Sequence, residues 1–164
     1  MRPSRDNKPT HPLTSLRVVL AWIHLLALGI GLGAVGARAA AARRLSRNPT
    51  DADLRSRVLG PDNWWGIAAV LWLLTGLWRL FGSTEKSTAY YLANDIFYAK
   101  MGMFLAVLMV ELWPMITLIR WRMRKAQPSA ETAKRIAVIS YVEAALIAAI
   151  ALAAVSMARG LGAR

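Results

Sequence analysis

Between Arg17 and Arg38 the chain reads Val18-Val19-Leu20-Ala21-Trp22-Ile23-His24-Leu25-Leu26-Ala27-Leu28-Gly29-Ile30-Gly31-Leu32-Gly33-Ala34-Val35-Gly36-Ala37, 20 residues without a formal charge. A helix needs about 20 mostly apolar residues, rising 1.5 Å each, to cross the hydrocarbon of a bilayer. The run has no strict alternation and is dominated by Leu, Ala and Gly, which argues against a strand. Inside lipid only helices and closed barrels satisfy their own backbone groups, so this stretch reads as a membrane helix. It is too long for the apolar core of a typical signal peptide, although Ala37-Arg38-Ala39 mimics a small-residue cleavage site.

The same test applied outward finds three more segments. Asp62 and Arg79 bound 16 residues without charge, Lys100 and Arg120 bound a run holding only Glu111, and Arg135 and Arg159 bound 23 residues holding only Glu143. The expectation is an all-α, four-helix transmembrane bundle, with helices at about 16–38, 63–82, 95–120 and 134–158. Residues 1–15, with three prolines and no periodicity, read as a mobile basic tail ahead of a membrane domain at 16–160. Asp62 after Pro61, and Asn94 before Asp95, are the expected N-caps of the second and third helices. Pro128-Ser129 or Thr132 opens the fourth, and Gly160 follows its last turn. Trp64, Trp65, Trp78, Trp113, Trp121, Tyr90, Tyr91 and Tyr98 mostly fall near segment ends, as interfacial aromatics do.

Composition agrees with this reading. Of the 164 residues 56% are hydrophobic and only 18% charged, yet the net charge is +12. With no cysteine, a disulfide framework, iron–sulfur clusters and thiol chemistry are excluded. The positive charge gathers in connections. Arg38, Arg43, Arg44, Arg47, Arg55 and Arg57 follow the first helix, and Arg120, Arg122, Arg124, Lys125, Lys134 and Arg135 follow the third. Those twelve share one side and face nine on the other, so the positive-inside rule puts both termini away from the cytoplasm. Their expected partners are anionic lipid headgroups, not nucleic acid, for which no binding module is present.

Gly31-Leu32-Gly33-Ala34-Val35-Gly36 spells a dinucleotide fingerprint, but no strand precedes it. Gly29, Gly33, Gly36 and Ala40 instead line one helix face on which another backbone can approach, in the bundle or in a second copy; Ala145, Ala149 and Ala153 do the same on helix four.

Ionisable groups within membrane segments are expensive and point to function. There are four: His24, Lys100, Glu111 and Glu143. Helix arithmetic sets His24 and Lys100 at one depth, about 10 Å along their helices, and Glu111 and Glu143 at matching depth in the opposite half. Two polar layers result. Bland roles compete: Lys100 snorkels, the two acids anchor Trp113, Tyr141 or backbone, and His24 is a bonded core residue. Pro114, which lacks an N–H, is expected to kink the helix beside Glu111. Met101, Met103, Met109 and Met115 keep no constant helical spacing and read as packing. The polar-to-aromatic stretch 82–95 can form an interfacial helix over the His24 layer, bringing Arg79, Lys86, Tyr90 and Tyr91 near its mouth.

Trp22-Ile23-His24-Leu25, Asp62-Asn63-Trp64-Trp65-Gly66, the Glu85-Lys86 to Tyr90-Tyr91 stretch, Phe97-Tyr98-Ala99-Lys100 and Glu111-Leu112-Trp113-Pro114-Met115 resemble an uncharacterised family of bacterial four-helix integral membrane proteins, over residues 16–160. The family brings no established activity and implies the inner membrane. His24, Gly33 and Arg38, with Lys100 after an aromatic string, are more distantly similar to HemJ-type protoporphyrinogen oxidases and CopD-like membrane proteins. Tyr98 stands where the HemJ pattern has its second histidine. Three readings follow. The first is a haem b or porphyrin site with His24 as axial metal ligand, Lys100 and Arg79 on propionates, and Trp72 or Tyr91 on the ring. The second is a small transporter or proton-pathway component using Glu111 and Glu143. The third is a non-enzymatic scaffold that pairs with itself through Gly29, Gly33 and Gly36.

Overall fold

The computed structural model describes residues 12–82, 88–124 and 127–162. The first eleven residues of the expected tail, Lys86, and the side chain of Tyr90 lie outside that description. Four long helices, α1 (Pro12–Leu45), α2 (Ala52–Phe81), α4 (Asp95–Arg124) and α5 (Ala130–Ala158), are joined by short connections, with a single-turn helix α3 (Thr88–Leu92) before α4. All four long helices have the length and apolar composition to cross a membrane. Main-chain packing runs α2–α1–α5–α4, while α2 and α4 meet chiefly through long side chains.

The helices are longer than the charge-free runs because charge at the end of a run does not stop a helix. Ala39 to Ala42 carry α1 beyond Arg38 as far as Leu45, so Arg38 lies within the helix and not, as expected, in a connection. Asp62 is likewise not a cap. Asp51 takes that role, accepting from the backbone N–H groups of Asp53 and Leu54 at 2.9 and 3.0 Å, and α2 runs on through Pro61. A proline after the first turn forfeits one main-chain hydrogen bond without ending a helix packed on its neighbours. α4 likewise continues through Pro114.

Other ends fall where the residues place them. The Asn94 side chain accepts from the Ile96 N–H at 2.9 Å, while its amide donates to the Leu161 carbonyl at 3.0 Å. It therefore caps α4 and ties it to the turn after α5. Ser129 caps α5 by accepting from Thr132 N–H at 3.1 Å. Gly160 and Gly162 take positive φ (85° and 75°) beyond its end, where a side chain would be strained. A Cβ on Gly162 would also fall 2.7 Å from Ile96.

Inward stripes at three- and four-residue spacing build two apolar clusters in the bundle. One, nearer the α1–α2 and α4–α5 connections, holds Ala42, Leu45, Val58, Leu118, Trp121 and Ile136. The other holds Ala34, Val35, Trp65, Trp72, Val107 and Ile147. A smaller cluster of Tyr91, Phe97 and Met157 closes the end beside the termini. Trp65, Trp121 and Tyr91 are thus core residues and not part of an interfacial belt, whereas Trp64 and Trp78 are exposed.

The glycine stripe is not a seam within the bundle. Gly29 and Gly33 point outward, and a Cβ on Gly29, Gly33 or Gly36 would meet nothing within 4 Å. The close approach within the bundle is at Gly31, where a Cβ would lie 3.1 Å from the ring of Trp65. Gly31→Val is therefore expected to lower stability by about 1–3 kcal/mol through overpacking. Gly33→Val should stay within about 0.5 kcal/mol. Thermal unfolding in one mild detergent compares the two.

A buried arginine–carboxylate cluster as candidate functional site

Each long helix contributes to one charged cluster in the bundle interior. Arg38 of α1 is fully buried and uses its whole guanidinium. Nε donates to Ser140 Oγ of α5 at 3.0 Å, and Nη1 to Asp62 Oδ1 of α2 and Glu111 Oε1 of α4, both at 2.8 Å. Nη2 donates to Glu111 Oε2 at 2.7 Å and to Glu143 Oε2 of α5 at 2.5 Å. The Glu111 contact is a two-pronged arginine–carboxylate pair, the geometry in which such bonds are strongest. Asp62 shares its second oxygen with Arg122 of α4 at 2.7 Å.

Exposure falls inward along this chain. Arg122 is 34% exposed, Glu111 and Asp62 are 14% and 10%, and Glu143 and Arg38 are 0%. Glu143 Oε1 is buried without a hydrogen-bond partner. Because Glu111 and Glu143 both reach Nη2, their carboxylates lie within reach of a single nitrogen. The cluster holds two guanidinium groups against three carboxylates. In a low-dielectric interior an uncompensated charge is strongly disfavoured, so one bound proton brings the cluster to neutrality.

The residues expected around His24 are partly gathered. His24 Nδ1 is 2.8 Å from Thr75 Oγ1, whose single hydroxyl proton goes to the Leu71 carbonyl at 2.6 Å. The same hydroxyl also lies 3.2 Å from the Trp72 carbonyl oxygen. The absence of a side chain on Gly76 makes room for the imidazole, since a Cβ there would be 3.3 Å from Cε1. Trp72 lies beside it with ring centroids 6.0 Å apart, and Phe104 meets Trp72 edge-on at 5.5 Å. The indole N–H of Trp72 is buried without a partner. Lys100 sits over the Phe97 ring at 5.5 Å, and Tyr91 packs on Phe97 at 5.8 Å in the end cluster. Arg79, near the end of α2, is only partly buried. Among the described residues no group of three or more His, Cys, Asp or Glu is arranged to hold a metal ion.

Sequence reasoning found Glu111 and Glu143 and their common depth, but not Arg38, Asp62, Arg122 or Ser140. The missing signal was the inward stripe itself. Ala27, Ala34, Arg38, Ala42 and Leu45 keep one helical face, as do Val58, Asp62, Trp65 and Thr75. A charge occurring in register with buried residues belongs to the interior.

Four spanning helices around a buried ionic cluster define an integral, multi-pass membrane protein. The family model described as "Predicted membrane protein (DUF2214)" matches residues 16–162, and the chain belongs to that family. No curated protein and no solved structure matches it. The distant likeness to HemJ-type and CopD-like proteins therefore rests on individual residues, and two of these, His24 and Arg38, make separate contacts here, to Thr75 and to the carboxylates.

Removing one partner from a buried ionic group is costly, so Arg38→Met is expected to destabilise the bundle by about 3–5 kcal/mol. Combining Arg38→Met with Glu111→Gln and Glu143→Gln removes the uncompensated charge and should recover most of that loss. Reversible denaturant unfolding in mixed micelles measures both.

Proposed function

We propose that the protein handles protons within the membrane, as a small transporter or proton-pathway component whose working group is the Glu111–Glu143 pair held on Arg38. The observation that carries this reading is the convergence of both carboxylates on one arginine nitrogen in a layer closed by apolar side chains. Carboxylates paired at such depth commonly mark proton routes in membrane proteins. One proton shared by the pair neutralises the cluster, and its departure leaves a net negative charge that favours rearrangement around Arg38. Ser140 and Asp62 hold the guanidinium in place while the proton moves.

The basic connections support a placement in a bacterial inner membrane. Arg43, Arg44, Arg47, Arg57 and Lys134 would face the cytoplasm and its anionic headgroups, and both termini would lie on the opposite side. In proteoliposomes with an entrapped pH dye and a clamped potential, the wild-type protein is expected to pass protons down an imposed gradient. Glu111→Gln and Glu143→Gln should each cut that flux by about tenfold or more, the scale on which a positioned proton-transfer group acts. Unchanged flux in both variants, or none from correctly folded wild-type protein, overturns the reading.

A second reading attaches to His24. The imidazole lies beside Trp72, whose indole N–H is buried without a partner, and this orphaned donor favours a polar or coordinating ligand there. The ligand class would be haem b or a porphyrin, which His24 would hold through its imidazole while Lys100 and Arg79 would supply positive charge for its carboxylates. A Soret band that shifts when haemin is added to the purified protein, and is lost in His24→Ala, is the expected result. An unchanged spectrum removes this reading.

A further inference from the structure

We propose that water reaches the buried carboxylates from one face only, along the seam between α2 and α4, and that the Arg122–Asp62 ion pair is the barrier on that route. The inference rests on the reading of Glu111 and Glu143 as a proton site, and it names the residues that control access to them.

The charged layer is closed along the bundle axis in both directions. One turn nearer the termini, each helix places an apolar residue in the core: Val35, Trp65, Val107 and Ile147. Toward the connections, Leu45, Val58, Leu118 and Ile136 do the same. The lateral seam is different. α1 packs on α2 and α5, and α5 on α4, whereas α2 and α4 are bridged chiefly by side chains.

At the end of the seam nearer the connections the bridges are polar. Arg122 donates to Asp62 at 2.7 Å and to the Leu59 carbonyl at 3.2 Å, and Arg55 donates to the Trp121 carbonyl. Farther along, toward the termini, the bridge is Trp72 packed edge-on against Phe104 at 5.5 Å, and the rings close the seam with the indole N–H buried. The two acids with measurable exposure, Asp62 and Glu111, are those on the seam helices, and Glu143 on α5 has none.

A proton route therefore runs from the aqueous face past Arg122 to Asp62, then to Glu111, and ends at Glu143. Asp62 bridges both guanidinium groups, so releasing Arg122 opens the seam while Arg38 stays held by the two glutamates. Glu143 meets Arg38, which also holds Glu111, Asp62 and Ser140, and Arg122 joins the layer through Asp62.

The absence of cysteine makes the test direct, because one introduced thiol is the only one in the chain. Ser140→Cys puts it beside Arg38 in the buried layer. A charged, membrane-impermeant thiosulfonate reacts with a thiolate only where water reaches it. The protein is reconstituted into sealed vesicles, with orientation assigned by protease removal of a tag on the N-terminus, and the reagent is added from either face.

Modification is expected only from the face of the connections, slowly in Ser140→Cys alone and about tenfold faster with Arg122→Gln. That factor is the order expected when a charge-assisted hydrogen bond no longer opposes local opening. Arg122→Lys should keep the slow rate. Glu111→Cys provides a second thiol on the route, with the same expected ordering, should Ser140→Cys fold poorly. Equal rates from both faces, or a rate unaffected by Arg122→Gln, overturns the proposal. Thiol access reports water and not proton transfer, so its failure is distinct from a failed flux assay.

Discussion

A guanidinium in the middle of a lipid-embedded bundle cannot be left alone, and the arrangement of all four helices follows from satisfying it. Arg38 finds an acceptor on every other long helix: Asp62 on α2, Glu111 on α4, and Ser140 and Glu143 on α5. Each bond fixes both the rotation and the height of the helix that supplies it. Turning α5 by one residue, about 100°, would swing Glu143 out of reach. Since interior ion pairs often add little net stability, the main contribution of this cluster is to select one packing among several that apolar contacts would allow. Apolar surface is a poor selector in lipid, whose tails are as greasy as the helices.

The bundle is divided along its axis. The acidic half, near the connections, has three carboxylates on one arginine; the other half has His24 on Thr75, with Trp72 and Phe104 around it. The apolar cluster that includes Val35, Trp65 and Val107 lies between the two polar sites. They are electrostatically distinct, one rich in exchangeable acid groups and the other in an aromatic-walled imidazole. The proposed proton and ligand functions are thus compatible in one chain, because each would occupy its own half.

The four spans were legible because the absence of charge over about 20 residues has one main physical explanation. The pairing of Glu111 with Glu143 was legible for a related reason: equal distance from the bounding cations implies equal depth. Arg38 was hidden by that same logic. A charge bounding an apolar run reads as the edge of the membrane, and only the register of Arg38 with Ala34 and Ala42 shows otherwise. Asp62 was masked by Pro61, which imitates a helix start yet lies well inside α2. The spacing of Gly29, Gly33 and Gly36 left two settings open, the bundle or a second copy; within the bundle the tight contact is at Gly31, off that stripe, where Trp65 needs the space.

The order in which the partners of Arg38 occur along the chain has a consequence for biogenesis. Arg38 is synthesised 24 residues before Asp62, 73 before Glu111 and 105 before Glu143. The first helix therefore emerges with a bare cation near its trailing end, and Asp62 is the earliest group able to offset it. α1 and α2 can enter the bilayer together with Arg38 already paired to Asp62. The hairpin of α4 and α5 then arrives with two acids and finds its docking point already made. Assembly of the bundle is thereby ordered by charge, and an unassembled second hairpin would carry exposed acids that a quality-control protease could recognise.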